Sequence, residues 1–156
     1  MTAIRIGLIS DTHNLLRPEA RIALTGVDRI IHAGDICNAS VLQQLNTIAP
    51  VVAVRGNNDQ GDWACGLPEK EKLEIGGVTL YVLHDLHQLD IDPAAAGIQV
   101  VISGHSHRPA VRKERGVLYV NPGSAGPRRF RLPISLAFLD IADGIPSARL
   151  QTLEVD

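Results

Sequence analysis

Aromatic side chains are nearly missing from this 156-residue chain, which has one Trp, two Tyr and two Phe. Aliphatic residues must therefore fill the core, and a base-stacking platform for single-stranded nucleic acid is not expected. Cysteine is scarce as well. Cys37 and Cys65 lie far apart and outside any CxxC pair, so both read as reduced thiols rather than a disulfide framework. No apolar run approaches the ~18 residues needed to cross a bilayer, so no membrane partner is expected. The opening residues, Met1 to Arg5, show no basic stretch leading into an apolar block, and the expected location is the cytoplasm. Excess charge of either sign is also lacking. A net charge of −2 argues against a broadly basic surface, and stable nucleic-acid binding is not expected. Neither a P-loop nor a GxGxxG run occurs, which removes the support for a nucleotide-binding module.

What remains is an ordinary globular composition, 45% hydrophobic and 21% charged, and disorder is excluded. The length suits one domain over residues 1–156. Ala3 to Ile9 alternates and then runs apolar into Ser10-Asp11-Thr12-His13, a buried strand entering a polar loop. Pro18 suits the first turn of a helix whose face is Ala20, Ala23, Leu24 and Val27. Asp28 to His32 reads as a second strand closing on Ala33-Gly34-Asp35. Ser40 and Gln43 can form a capping box for a helix with Val41, Leu42, Leu45 and Ile48 as its stripe. Val51 to Val54 is a third strand, ending in Arg55 to Asp59. This β-α-β-α-β opening predicts a parallel sheet covered by helices, with polar clusters at the C-terminal strand ends where such sheets carry their sites.

The second half changes character. Lys72 to Ile75 and Val78 to His84 flank Gly76-Gly77, and Ser135 to Ile141 and Ala148 to Val155 flank Asp143-Gly144; both are hairpin signals. A brief helix is expected around Pro93 to Ala96. Short strands are expected at Val100 to Ser103 and, after the Arg115-Gly116 turn, at Val117 to Val120. The expected fold class is α/β, two packed sheets with helices outside them.

Five polar clusters fall at strand ends: Asp11-Thr12-His13, Gly34-Asp35, Gly56-Asn57-Asn58-Asp59, His84-Asp85 and Gly104-His105-Ser106-His107. Each alone reads as a solvated turn, because these residue types tolerate turn backbones. Together they contain four of the six histidines. Solvation explains the polarity of these loops but not the concentration of imidazoles and carboxylates. On an extended segment, Asp-x-His and His-x-His each point two side chains the same way. Asp, Asn and His donors suit Mn²⁺, Fe, Co, Ni or Zn²⁺ better than Mg²⁺ alone. Seven donors exceed the four of a closed zinc site. They fit two open-coordination ions ~3.5–4 Å apart sharing a carboxylate.

This ordered set, with Asn121-Pro122-Gly123-Ser124, resembles the calcineurin-like metallophosphoesterase superfamily, and within it the small YfcE-type phosphodiesterase branch. The resemblance runs from Ile4 to about Ile141. It implies a four-layer α/β/β/α sandwich and a dinuclear centre with Mn²⁺ favoured among the divalent metals. By position, Asp11, His13, Asp35 and His107 would hold one ion, and Asp35, Asn57, His84 and His105 the other, with Asp35 bridging. The residues expected to serve the chemistry are Asp35, Asn57, Asn58, Asp59 and His105, with Asp59 orienting rather than ligating. Activated water would attack phosphorus in line, and the substrate would be a small phosphate ester. Self-association occurs in this branch, so a homo-oligomer is an open expectation. The rival reading is a protein-binding scaffold on the same fold, like the retromer-coat subunit; a complete donor set argues against it.

Two departures stand out. Much of the superfamily has histidine after Gly-Asn, able to protonate the leaving oxygen, whereas this chain has Asn58, which cannot act as a general acid. The expected preference is therefore for phosphodiesters or good leaving groups. Members often show His-Gly-His where this chain has His84-Asp85-Leu86-His87, which adds negative charge. Outside the set, His32 reads as a hydrogen-bonded structural histidine and Cys37 as a packed thiol. Asn121 and Ser124 read as turn stabilisers, and His87 stays open between substrate and solvent. Arg128, Arg129 and Arg131 read as a solvated loop, with phosphate recognition as the functional alternative.

Overall fold

The computed structural model describes residues 3–155. Apolar alternation builds two five-stranded mixed sheets. The first has the order β10-β9-β1-β2-β3, using β1 (Ile4–Ile9), β2 (Arg29–His32), β3 (Val51–Ala53), β9 (Ser135–Ala142) and β10 (Ile145–Thr152). Its β1, β2 and β3 run parallel, with α1 (Pro18–Ala23) and α2 (Ala39–Asn46) in the crossovers, while β9 and β10 join antiparallel. The second sheet has the order β4-β5-β6-β8-β7, built from β4 (Lys70–Ile75), β5 (Val78–Leu83), β6 (Val100–Ile102), β7 (Ala110–Glu114) and β8 (Val117–Asn121). Here β5, β6 and β8 are parallel and the two edges antiparallel.

Period-two side chains sort the core into layers. Ile6, Leu8, Ala137 and Leu139 of the first sheet meet Leu80, Val82, Val100 and Ile102 of the second in the layer between them. The intervening positions, Ile9, Ile30, Leu136 and Phe138, face outward against Ala20 and Leu24 at α1 and Val41 and Leu45 of α2. The outer face of the second sheet, Leu83, Val101 and Val117, is covered more thinly by the 3-10 turn Leu86–Gln88 and the segment leading to Ile98.

Several local expectations change. The helix expected at Pro93 to Ala96 is a set of turns: the Ala96 N–H donates to Asp92 O at 3.0 Å, and Gly97 then ends the run with φ +77°. A single closed turn with no apolar stripe cannot repay helix nucleation. The capping box at Ser40 gives way to Asn38, whose side chain accepts from the Ser40 N–H at 2.8 Å in an extended cap conformation, so α2 starts earlier. The last strand begins at Ile145, directly after the Asp143-Gly144 turn, rather than at Ala148. Two elements lacked a sequence signal: the single turn α3 (Asp62–Cys65) and the edge strand β7, all five of whose residues are exposed.

Candidate metal centre

Every expected donor sits just beyond a strand of one sheet or the other, and packing the sheets face to face closes the loops over one another. Asp11 and His13 follow β1, Asp35 follows β2 and Asn57 follows β3; His84 follows β5, and His105 and His107 follow β6. Among the described residues, these loops hold seven of the ten non-glycine residues with positive φ, including Asp11, His13, Asp35, His105 and His107. Asp, Asn and His enter that region at lower cost than other side chains, and such strain persists where the surrounding structure enforces it. Glycine is required at two close approaches. A Cβ on Gly56 would collide with the backbone and carboxylate of Asp35, and one on Gly104 with the Ser10 hydroxyl.

Two donor groups result, Asp11 with His13 and His107, and Asp35 with His84 and His105, each with ligand atoms within 4.8 Å of one another. Asp35 joins them: its Oδ2 lies 3.3 Å from His84 Nε2 and 3.6 Å from His13 Nε2. His13 and His107 face each other through Nε2 at 3.3 Å. On the other side, His105 Nδ1 stands 3.2 Å from Asn57 Oδ1 and 3.3 Å from His84 Nε2, which brings Asn57 to the second group.

Asp59 belongs to neither donor group. Its two carboxylate oxygens accept from four backbone amides, those of Asp35, Ile36, Cys37 and Gly56, at 2.7–3.0 Å. It is a positioning residue that ties the β3 loop to the β2 loop. Asn58 turns its side-chain amide onto Asp35 Oδ2 at 3.0 Å, and its backbone N–H donates to Oδ1 at 2.9 Å. His32, fully buried, accepts the Gly34 N–H on Nδ1 at 3.1 Å and meets Thr12 Oγ1 through Nε2 at 3.1 Å, a structural role. Ser124 Oγ donates to Asp11 O, and Asn121 Nδ2 donates to Gly104 O, so both hold donor-bearing loops. His87 is exposed and pairs with Asp85. The Arg128 to Arg131 loop is solvated, yet the charge of Arg129 reaches His107.

Sequence reasoning missed Ser10 and the placement of Asp85. The buried Ser10 hydroxyl donates to Asp11 Oδ2 at 2.8 Å, and no periodicity or motif marks it. Asp85 caps the 3-10 turn by accepting from the His87 N–H, and its other oxygen lies 3.9 Å from His105 Nε2. The His84-Asp85 pair was the available signal.

The electrostatics match a cation site. Burial pushes the Asp11 carboxyl up, against the pull of His84 and Ser10. For Asp35 burial also acts upward, but hydrogen bonds from His84 and from both amides of Asn58 hold it far below the usual carboxylate range. Burial would lower His84; its hydrogen bond to Asp35 and the charges of Asp11 and Asp35 raise it instead. His107 is held down to about 4 by burial, Arg129 and His13, which keeps it in the neutral form that imidazole needs in order to bind a metal. Cys37 is pushed up to about 11 by burial and by Asp59, Asp35 and Asp11, which leaves it a thiol rather than a ligand.

The decisive atom is Asp11 Oδ1. It is buried and has no hydrogen-bond partner among the described residues, although three imidazole Nε2 atoms stand 3.5–3.8 Å away. A carboxylate oxygen left without a donor costs free energy unless a cation satisfies it. Together with the Asp, Asn and His donor set, this residue environment fits divalent metal.

The sequence matches the model of the calcineurin-like phosphoesterase superfamily domain over residues 4–144. The chain belongs to that superfamily of phosphoric ester hydrolases. It is 37% identical to a probable metallophosphoesterase of Methanocaldococcus jannaschii, over 96% of this chain and 81% of that protein. It is 26% identical to phosphodiesterase YfcE of Escherichia coli K12, over 88% of each. Among solved structures, an archaeal phosphodiesterase superposes with TM-score 0.77 at 25% identity, covering 95% of this chain and 100% of that one. Vacuolar protein sorting 29 of Cryptosporidium parvum superposes with TM-score 0.77 at 18% identity over 98% and 99%, a likeness of fold. The metallophosphoesterase fold expected from the sequence is thus the one found.

Proposed function

We propose that this superfamily member is a dinuclear phosphodiesterase. Asp11, His13, Asp35 and His107 would hold one divalent ion, and Asp35, Asn57, His84 and His105 the other. The observation that carries the reading is the carboxylate of Asp35 set between His13 and His84, beside the unsatisfied oxygen of Asp11. Two bound cations supply a water of lowered pKa and Lewis-acid stabilisation of phosphoryl oxygens. The chain's own residues do the rest. Asn58 and Asp59 fix the bridging carboxylate and its loop, and Ser10 fixes Asp11. Arg129 adds positive charge on the His107 side, where a phosphate would enter. Asn58 has no proton to give a leaving oxygen, which favours substrates whose leaving groups need none. The relatives named phosphodiesterase support the same substrate class.

The test is hydrolysis by purified protein stripped of metal and reloaded with Mn²⁺, Zn²⁺, Co²⁺ or Ni²⁺. Bis(p-nitrophenyl) phosphate is expected to be cleaved faster than an alkyl phosphomonoester. Asp35→Asn is expected to lower kcat/KM more than about a hundredfold, beyond what loss of a group supporting the ligands costs. Equal rates for wild type and Asp35→Asn would remove the bridging role. No hydrolysis with any of these metals would favour a protein-binding scaffold.

A further inference from the structure

A cavity of about 460 Å³ opens beside the donor cluster, on the outer side of the second sheet, and none of the proposed chemistry uses most of its walls. His105 is the shared wall: its ring faces Asn57 and His84 on one side and lines this cavity on the other. Beyond it stand Leu86, Ala110, Tyr119 and Val120. Several polar groups around the floor are already engaged, while the exposed Arg108 guanidinium has no ion-pair partner among the described residues. Asn121 donates to Gly104 O and Ser106 Oγ and accepts from the Gly123 N–H. The Arg112 guanidinium lies 4.5 Å over the Tyr119 ring and is ion-paired with Glu114, which offsets its charge. Asp85 is held by His87. What the cavity offers is apolar and aromatic surface of ligand-binding size, sharing His105 and Asp85 as walls with the cleft that Asn57 and His84 line.

Resting on the phosphodiesterase reading, we propose that this cavity takes one ester group of the substrate and that the group is bulky and apolar or aromatic. The substrate class is then a phosphodiester with at least one aryl-sized substituent. Phosphate or a dimethyl ester fills the metal-facing part alone and leaves these walls in water. Leu86, Ala110 and Tyr119 become specificity-determining residues. Tyr119 is the one Trp, Tyr or Phe ring of the lining, with Arg112 already over one of its faces.

Binding to the Zn²⁺-loaded protein tests this, with diphenyl phosphate and dimethyl phosphate as probes and amide ¹H–¹⁵N shifts as readout. Diphenyl phosphate is expected to bind at least tenfold tighter and to move the amides of Ala110, Tyr119 and Val120. Ala110→Trp places its bulk from an exposed edge-strand position into the cavity. It is expected to erase that preference while changing dimethyl phosphate affinity less than threefold. Equal affinity of wild type for the two probes, or shifts confined to the donor loops, would overturn the proposal. Hydrolysis of bis(p-nitrophenyl) phosphate is measured in parallel. Its failure with every metal would strike the phosphodiesterase reading, whereas active protein without the binding preference would strike the cavity assignment alone.

Discussion

Asp59 and His32 show how much of the centre depends on side chains that never face it. Replacing Asp59 by Asn keeps the shape but turns an amide NH₂ toward backbone N–H donors, leaving some of its four partners unsatisfied in a buried setting. A destabilisation of roughly 2–6 kcal/mol is expected, at about 1–3 kcal/mol for each of the two donors that face the new NH₂, and urea unfolding checks it. His32 gives a pH dependence. Burial, then the positive charge of His84, lowers it to about 3 in the folded protein. The unfolded chain therefore binds the extra proton between about pH 6.5 and 3, and the folded state loses stability as pH falls through that window. Above pH 6.5 nothing is lost. His32→Gln is expected to lose stability less steeply than wild type there, by at most about 1.4 kcal/mol per pH unit in the metal-free protein. Urea midpoints measured across the window decide it; parallel curves would refute the assignment.

Among the elements, those with a local signature were legible. Gly76-Gly77, Arg115-Gly116 and Asp143-Gly144 all have positive φ at both residues and close the pairs Ile75–Val78, Glu114–Val117 and Ala142–Ile145. Such turns announce themselves because few residues tolerate that backbone. The strand β7 was not legible, since an edge strand exposed at every position shows no alternation to read; its partner β8 and the turn define it. The start of α2 was misplaced because Asn38 and Ser40 are both good caps, and the chain's extended approach at Asn38, φ −157°, selects the first. Asn38→Ala is expected to cost about 1 kcal/mol, read as a lower thermal or urea midpoint with hydrolysis retained. Ser40→Ala, by contrast, should be nearly silent.

At the scale of the whole molecule, the centre is an interface between two sheets. One sheet delivers Asp11, His13, Asp35 and Asn57, the other His84, His105 and His107, and the carboxylates would face one another's charge without a counter-ion. Divalent metal should therefore stabilise the fold as well as enable chemistry. At a hundredfold excess over its Kd, Zn²⁺ is expected to add about 2.7 kcal/mol, visible as a raised Tm in scanning calorimetry. Asp35→Asn should lose most of that gain. An unchanged wild-type Tm with saturating metal would contradict binding across the two sheets.

The sequence by itself determined the alternation that makes the strands, the hairpin turns and the order of the polar clusters, because each is a short-range property of neighbouring residues. It also placed the seven donors at strand ends. Tertiary structure decided that Asp35 stands between His13 and His84, that Asp59 turns away to hold backbone amides, and that a cavity opens behind His105. The meetings behind them are long-range, as are those of His84 with His105, 21 positions apart, and His13 with His107, 94 apart. Such distances are set by how two sheets pack through a shared apolar layer, which no local pattern encodes.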